Sequence, residues 1–185
     1  MTSSRRVILS GLPCAAALFM GLAKGANATD NNDLQELIEK AIQADGSLEL
    51  PKGDFIASGI PINRGLTITG LGDQTRLISP DGQPIFTITT TESVTLRGLS
   101  FSGPALAQGE ALVTAARSPG LLIDMCRFSD SPAGGLHLEG CGGAVTGCHF
   151  SRIATTALFA RDATGLESSG SRLEDMGNNG IQVWT

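Results

Sequence analysis

The chain has 185 residues, 13 Lys+Arg against 18 Asp+Glu, a formal charge of -5 and 41% apolar residues. This is enough to build one domain with a core, and the acidic balance, with no basic stripe, argues against nucleic-acid binding. Aromatic residues make up only 4%, Tyr is absent and Gly occupies 24 positions. Such a composition excludes a helical bundle, collagen and disorder and favours short strands joined by frequent turns.

The N-terminal segment, residues 1–28, has the features of an export signal. Arg5 and Arg6 precede a weakly apolar run, and Ala26 and Ala28 place small residues where a signal peptidase cleaves. Paired arginines before such a run are typical of a twin-arginine signal, a receptor-read address. The run is about 16 residues long and too short to span a bilayer. We therefore expect recognition by the twin-arginine translocase, cleavage by signal peptidase after Ala28, and a periplasmic or secreted protein of a Gram-negative bacterium with no membrane span.

Loss of residues 1–28 changes the charge and the cysteine count. It removes three basic residues and no acidic ones, so the formal charge falls from -5 to -8. The three remaining cysteines are Cys126, Cys141 and Cys148. Because three is odd, at least one thiol has no partner within the chain. One disulfide with one free thiol, or a buried stack of free thiols, both stay open.

A single helix is predicted, in a capping segment that spans residues 29–47. Its apolar residues recur at helical spacing between residues 32 and 44, Asp30 to Asn32 offer N-caps, and Asp45-Gly46 ends it. The apolar stripe consists of Leu34, Leu37, Ile38, Ala41 and Ile42. From residue 48 onward the pattern is one of short alternating strands between turns.

The second half of the sequence repeats itself. The segment Met125–Ser129 recurs at Gly147–Ser151, a step of 22, and again at Ser169–Leu173. A looser copy, Gly98–Ser102, precedes them at a wider spacing because residues 103–110 insert a longer loop. A period near 22 with alternating apolar residues is typical of a solenoid with one coil per repeat.

The solenoid is predicted to occupy residues 48–185. Successive coils would stack parallel and in register, with Phe128, Phe150 and Leu173 in one interior column and Cys126 over Cys148. The chain stops within a repeat strand at Thr185 without a polar cap. Since solenoids need caps, we expect the sequence to be the N-terminal part of a longer protein.

The order of these segments resembles a known family. A helix followed by Leu48–Phe55 and then Gly65–Gly72 resembles the start of pectate-lyase-like right-handed β-helix proteins. With the paired arginines and the repeats, essentially the whole chain resembles the twin-arginine-translocated repeat proteins of Gram-negative bacteria. The resemblance implies an all-β fold, a single-stranded right-handed parallel β-helix with an N-terminal capping helix. It leaves the activity open.

Enzymes with this fold act on acidic polysaccharides, so the resemblance implies that catalytic groups for such substrates could be present. The motifs of the fold's glycoside hydrolases and of alginate epimerases do not occur in the sequence. No catalytic residue is predicted, and a polysaccharide lyase or epimerase remains the expectation if the protein is an enzyme. No cofactor motif is found.

The repeat register nevertheless predicts which side chains face outward. Positions nine and eleven past each repeat anchor fall on the outer face of one sheet. They are His137, Phe159, Gln182, Glu139, Arg161 and Trp184. All of these except Gln182 are predicted to form a patch that binds an acidic glycan, with aromatic faces for sugar rings and Arg161 for a uronate. The alternative is an inert Glu139–Arg161 salt bridge beside aromatics that stabilise the sheet.

Potential metal ligands occur nearby but are poorly arranged. Cys148 and His149 are adjacent, so on a strand they point to opposite faces, and no Cys-x-x-Cys pair is present. No metal site is predicted. Two functional classes stay open: an exported protein that binds or processes an acidic polysaccharide, and a non-catalytic structural or adhesive solenoid.

Overall fold

The computed structural model describes residues 29–185. The predicted twin-arginine signal, its apolar run and the cleavage site at Ala26 and Ala28 therefore lie outside the described residues. Within the described part, no helix is long and apolar enough to cross a membrane.

One helix covers the N-terminal end of the fold. Helix α1 spans Asn31–Gln43, starting slightly earlier than predicted, and the Asp30 carboxylate caps it by accepting a hydrogen bond from the Asp33 amide. Leu34, Ile38 and Ala41 are buried. Their spacing places one apolar face of the helix against the first coil.

Eighteen short strands follow the helix. In chain order they are β1 Ser47–Glu49, β2 Gly53–Ile56, β3 Ile60–Ile62, β4 Leu66–Thr69, β5 Thr75–Ile78, β6 Phe86–Ile88, β7 Val94–Arg97, β8 Ser100–Ser102, β9 Ala111–Ala116, β10 Leu121–Asp124, β11 Arg127–Ser131, β12 Gly134–Glu139, β13 Gly143–Thr146, β14 His149–Ile153, β15 Leu158–Arg161, β16 Leu166–Ser169, β17 Arg172–Met176 and β18 Ile181–Trp184. A short 3-10 turn, Gly72–Gln74, precedes β5.

Every third strand belongs to the same parallel sheet. Sheet 1 contains β1, β4, β7, β10, β13 and β16; sheet 2 contains β2, β5, β8, β11, β14 and β17; sheet 3 contains β3, β6, β9, β12, β15 and β18. Each coil contributes one strand to each sheet, so the three sheets enclose a single interior. The predicted all-β parallel β-helix of the right-handed type, with an N-terminal helix, is confirmed.

The register between coils also follows the repeats. Phe101 pairs with Phe128, Phe128 with Phe150 and Phe150 with Leu173. The sequence separation between paired residues is largest for Phe101 and Phe128. The longer step comes from the loop of residues 103–110 between β8 and β9. This loop is tied to the preceding coil by the Ala107 amide, which donates to the Gly82 carbonyl at 3.2 Å.

An aromatic column fills the centre of the solenoid. The rings of Phe101 and Phe128 are stacked with centroids 5.0 Å apart, and those of Phe128 and Phe150 with centroids 4.8 Å apart. All three side chains are buried, and Phe86 packs edge-on against Phe101. Such stacking adds to the energy of burial, so this column is a main source of cohesion between coils.

The three cysteines within residues 29–185 are free thiols, and all three are buried. Cys126 and Cys148 occupy equivalent corners of neighbouring coils, and each Sγ lies near backbone carbonyl oxygens. Burial raises the pKa of Cys126 to about 12 and that of Cys148 to about 11. Both are therefore neutral thiols that pack as small apolar groups, in line with the second of the two expectations for them.

Each coil turns at corners built on a left-handed residue. At the corner from sheet 1 to sheet 2, Gly98, Gly147 and Gly170 have φ between 58° and 63°, and Met125 takes the same conformation with φ 51°. A residue with a Cβ is strained there by about 1–2 kcal/mol. The Met125 side chain is 66% exposed and contributes little packing to offset this strain.

We expect Met125→Gly to stabilise the protein by about 0.5–1 kcal/mol, because relief of strain exceeds the entropy that glycine adds to the unfolded chain. Urea unfolding followed by circular dichroism measures the change. Met125→Ala keeps the strained backbone and should leave stability nearly unchanged. A glycine variant less stable than the alanine variant would contradict the strain argument.

Candidate functional site on the outer face of sheet 3

The outer face of sheet 3 brings together the five residues predicted from the repeat register. His137 on β12 pairs with Phe159 on β15, and Glu139 on β12 pairs with Arg161 on β15. Arg161 in turn pairs with Trp184 on β18. Because alternate residues of a strand share a face, all five side chains lie on one outer surface, which we call the sheet 3 patch.

Three aromatic rings form a continuous line across this patch. The His137 and Phe159 ring centroids are 4.7 Å apart with planes at 89°, and those of Phe159 and Trp184 are 5.4 Å apart at 73°. Trp184 is 50% exposed. Edge-to-face packing fixes the orientation of each ring, so the patch presents a preformed aromatic surface to solvent.

Arg161 lies beside two of these rings. Its guanidinium carbon is 5.8 Å from the Phe159 centroid and 5.5 Å from the Trp184 centroid, within cation–π range. Within residues 29–185 it forms no ion pair, although Glu139 lies in register on the neighbouring strand. The Glu139–Arg161 salt bridge of the alternative interpretation is therefore not formed, and the guanidinium keeps its hydrogen-bond donors for other groups.

Two shallow grooves meet at His137. The threonine groove, of about 130 Å³, runs toward the carboxyl ends of the strands. It is lined by Thr87, Ile88, Thr89, Thr114, Ala115, Ala116, His137 and Glu139. The loop groove, of about 260 Å³, lies on the other side of His137. It is lined by Gly109, Glu110, Ala111, Gly134, Leu136, His137, Thr155, Thr156 and Phe159.

The threonine hydroxyls and the Glu110 carboxylate of these grooves were not among the predicted site residues. Thr87 and Thr114 stack in register with hydroxyl oxygens 3.4 Å apart, and Thr114 pairs with His137. Glu110 ends the loop of residues 103–110. Thr114 could have been found by extending the repeat register backward by one coil from His137. The same register pairs Leu136 with Val113.

Sheet 2 has a different kind of polar surface. The Nδ1 atom of His149 lies 3.0 Å from the Arg127 guanidinium, and its Nε2 atom lies 2.8 Å from the Glu174 carboxylate. Because a guanidinium only donates and a carboxylate only accepts, the neutral imidazole with its proton on Nε2 satisfies both contacts. Arg172 also binds Glu174. Hydrogen bonds to the Glu174 carboxylate lower its pKa, with the larger effect from Arg172 and the smaller from His149.

Within the described part of the chain, the charged side chains of sheet 2 are thus paired, with the exception of Asp175. Arg127 additionally pairs with Asp73 at 3.0 Å, and Arg152 binds Asp130, lowering the pKa of that carboxyl. Among the described residues, no group of three or more His, Cys, Asp or Glu side chains is arranged to hold a metal ion.

Comparison with known proteins adds little to this geometry. No protein-family model matches the chain, and no curated protein matches it. A solved structure from Parabacteroides merdae ATCC 43184, described as a "putative glycosyl hydrolase", aligns with 84% of this chain and 92% of its own, at 12% identity and a TM-score of 0.47.

Proposed function

We propose that this protein binds an acidic polysaccharide on the sheet 3 patch. The observation that carries the proposal is Arg161, an arginine held against two aromatic rings with no carboxylate partner among residues 29–185. Aromatic faces suit the apolar faces of sugar rings, and a free guanidinium suits a uronate carboxylate, which it can bind in a bidentate manner.

Preorganisation favours this use of the patch. The rings of His137, Phe159 and Trp184 are fixed by one another, and their strands are fixed by the sheet ladder. A ligand would therefore bind with little loss of protein conformational freedom. The adjoining grooves offer hydroxyl and carboxylate groups that can hydrogen-bond to sugar hydroxyls.

The proposed setting is outside the cytoplasm. Arg5 and Arg6 support export by the twin-arginine translocase with cleavage after Ala28, which would place the patch among extracellular or envelope polysaccharides. On a chain whose formal charge is then -8, a polyanion is attracted by local charge against overall repulsion. Its binding should weaken as salt rises.

Titration calorimetry with uronate and neutral oligosaccharides tests the proposal. Arg161→Ala should weaken uronate binding by about tenfold or more, because a charge-assisted bidentate contact is lost. Arg172→Ala is the matched control, since Arg172 lies on sheet 2 and already pairs with Glu174. If neutral sugars bind as well as uronates, or if both variants behave alike, the patch is only the outer surface of a structural solenoid.

A further inference from the structure

The arginines without a carboxylate partner share one edge of the solenoid. Five of the arginines in residues 29–185 form ion pairs: Arg76, Arg97, Arg127, Arg152 and Arg172. The other three, Arg64, Arg117 and Arg161, all lie where sheet 3 ends and the chain turns toward sheet 1. All three are exposed. This edge thus has cations that the fold itself does not use.

Arg117 and Arg161 stand on either side of an acidic residue. Ala116 pairs with Glu139, and Glu139 pairs with Arg161, so these positions lie in three successive coils. Arg117 follows Ala116, its amide donates to the Glu139 carbonyl at 2.8 Å, and its side chain lies beside Gly140, which has no Cβ to obstruct it. Neither arginine forms an ion pair with Glu139 in the described chain.

The spacing of this series matches a glycan. Strands of neighbouring coils are about 4.8 Å apart, so Arg117 and Arg161 originate about 9.6 Å apart along the solenoid axis. An extended chain of pyranose sugars, whether 1,4-linked throughout or with alternating 1,3 and 1,4 linkages, advances by close to one coil spacing per sugar. A glycan that lies along the edge would therefore place every second sugar next to an arginine.

We propose that the edge formed by Arg117, Glu139 and Arg161 selects glycans that have a carboxylate on alternate sugars. This inference rests on the proposed function and specifies its substrate class. The two arginines bind the carboxylates of the first and third sugars. The second sugar faces Glu139, which accepts hydrogen bonds from its hydroxyl groups and repels a carboxylate at that position.

The threonine groove reaches the middle position at Glu139 and continues along the two preceding coils. It opens beside Glu139 and is lined by the hydroxyl groups of Thr87, Thr89 and Thr114. Hydroxyl groups both donate and accept, so they complement the hydroxyls of an uncharged sugar. The groove has no Lys or Arg among its lining residues, so it gives a middle carboxylate no fixed compensating charge.

Calorimetry with three hexasaccharides tests this selection. The ligands are a hyaluronan hexasaccharide, in which uronate alternates with a neutral amino sugar; hexagalacturonate, with a uronate at every position; and neutral cellohexaose. The wild-type protein should bind the hyaluronan fragment about tenfold more tightly than hexagalacturonate, since one like-charge contact is avoided. Equal affinities for the two acidic ligands would overturn the inference.

Two variants separate the contributions of the edge. Glu139→Gln should raise the affinity for hexagalacturonate about tenfold. The affinity for the hyaluronan fragment should change by no more than about twofold, because the glutamine amide oxygen still accepts hydrogen bonds, so the variant should bind the two acidic ligands about equally. Arg117→Ala should weaken binding of the hyaluronan hexasaccharide about tenfold. It should leave the affinity for glucuronic acid alone unchanged, because that monosaccharide binds at Arg161 beside the aromatic rings. Glu167→Gln, which removes an exposed carboxylate from sheet 1, is the control and should change neither ligand.

The failures of the two proposals look different. If uronates bind and Arg161→Ala abolishes binding while Arg117→Ala and Glu139→Gln have no effect, the sheet 3 patch stands and the alternating selection is wrong. If no acidic oligosaccharide binds the wild-type protein, the proposed function falls and this inference falls with it.

Discussion

Replacing Phe150 with alanine should lower the free energy of unfolding by about 3–5 kcal/mol, as other large-to-small core substitutions do. Phe150 is 1% exposed and its ring stacks on Phe128 with planes only 10° apart. Leu173 pairs with it from the next coil, so truncation opens a cavity between two neighbours that the sheet ladders hold in place. Denaturant unfolding of the variant and the wild-type protein measures the loss.

Phe159→Ala is the matched control for this experiment. It removes the same ring one strand later, but from the outer face of sheet 3, where the side chain is only partly buried. Its cost should be about 1 kcal/mol, the value of an aromatic pair on an exposed sheet surface. A loss below about 1 kcal/mol for Phe150→Ala, or equal losses for both variants, would contradict the interior aromatic column.

Gly143→Ala should be about as damaging, with a loss of about 3 kcal/mol or more. Gly143 begins β13 with φ 98°, and a Cβ built there would overlap the Leu121 carbonyl oxygen on the neighbouring strand. The expected loss combines backbone strain of about 1–3 kcal/mol with a steric clash of similar size. The change should appear as a lower denaturant midpoint in the same unfolding experiment.

Gly165→Ala separates these two contributions. Gly165 also has a positive φ, of 65°, but a Cβ there would meet nothing within 4 Å. Only the conformational strain remains, so the expected loss is about 1 kcal/mol. If Gly143→Ala cost no more than Gly165→Ala, the close approach of the Leu121 backbone would have no energetic importance.

The fold could be predicted because each coil repeats the same interior pattern. Phe128 and Phe150 occur at equivalent positions of successive repeats, and a parallel in-register stack is the arrangement that buries both. The corners were less predictable. Asn178–Gly180 is suited to a left-handed turn, yet none of these three residues has a positive φ. The left-handed residue at the preceding position is Asp175, in register with Arg152 and Asp130. Its conformation is imposed by stacking on the previous coils rather than by its own preference.

The candidate site was predictable only in part, for a related reason. The outward positions of His137, Glu139, Phe159, Arg161 and Trp184 follow from alternation along strands of nearly equal coils. The freedom of Arg161 from Glu139 does not follow, because it depends on rotamers that place the guanidinium over aromatic rings. The proposed role of Arg117 did not emerge from the sequence, because the inserted loop of residues 103–110 moves Arg117 away from the position obtained by counting from the repeat anchor at Phe101.

The loop of residues 103–110 gives this architecture a separable part. It forms one wall of the loop groove through Gly109 and Glu110, while the strands on either side keep their register with neighbouring coils. Lengthening a surface loop costs little free energy, since closure entropy grows slowly with length. Insertions or deletions in this loop can therefore change the depth of the loop groove while the edge formed by Arg117, Glu139 and Arg161 stays unchanged. The loop is thus the part of the fold where ligand specificity can change most easily.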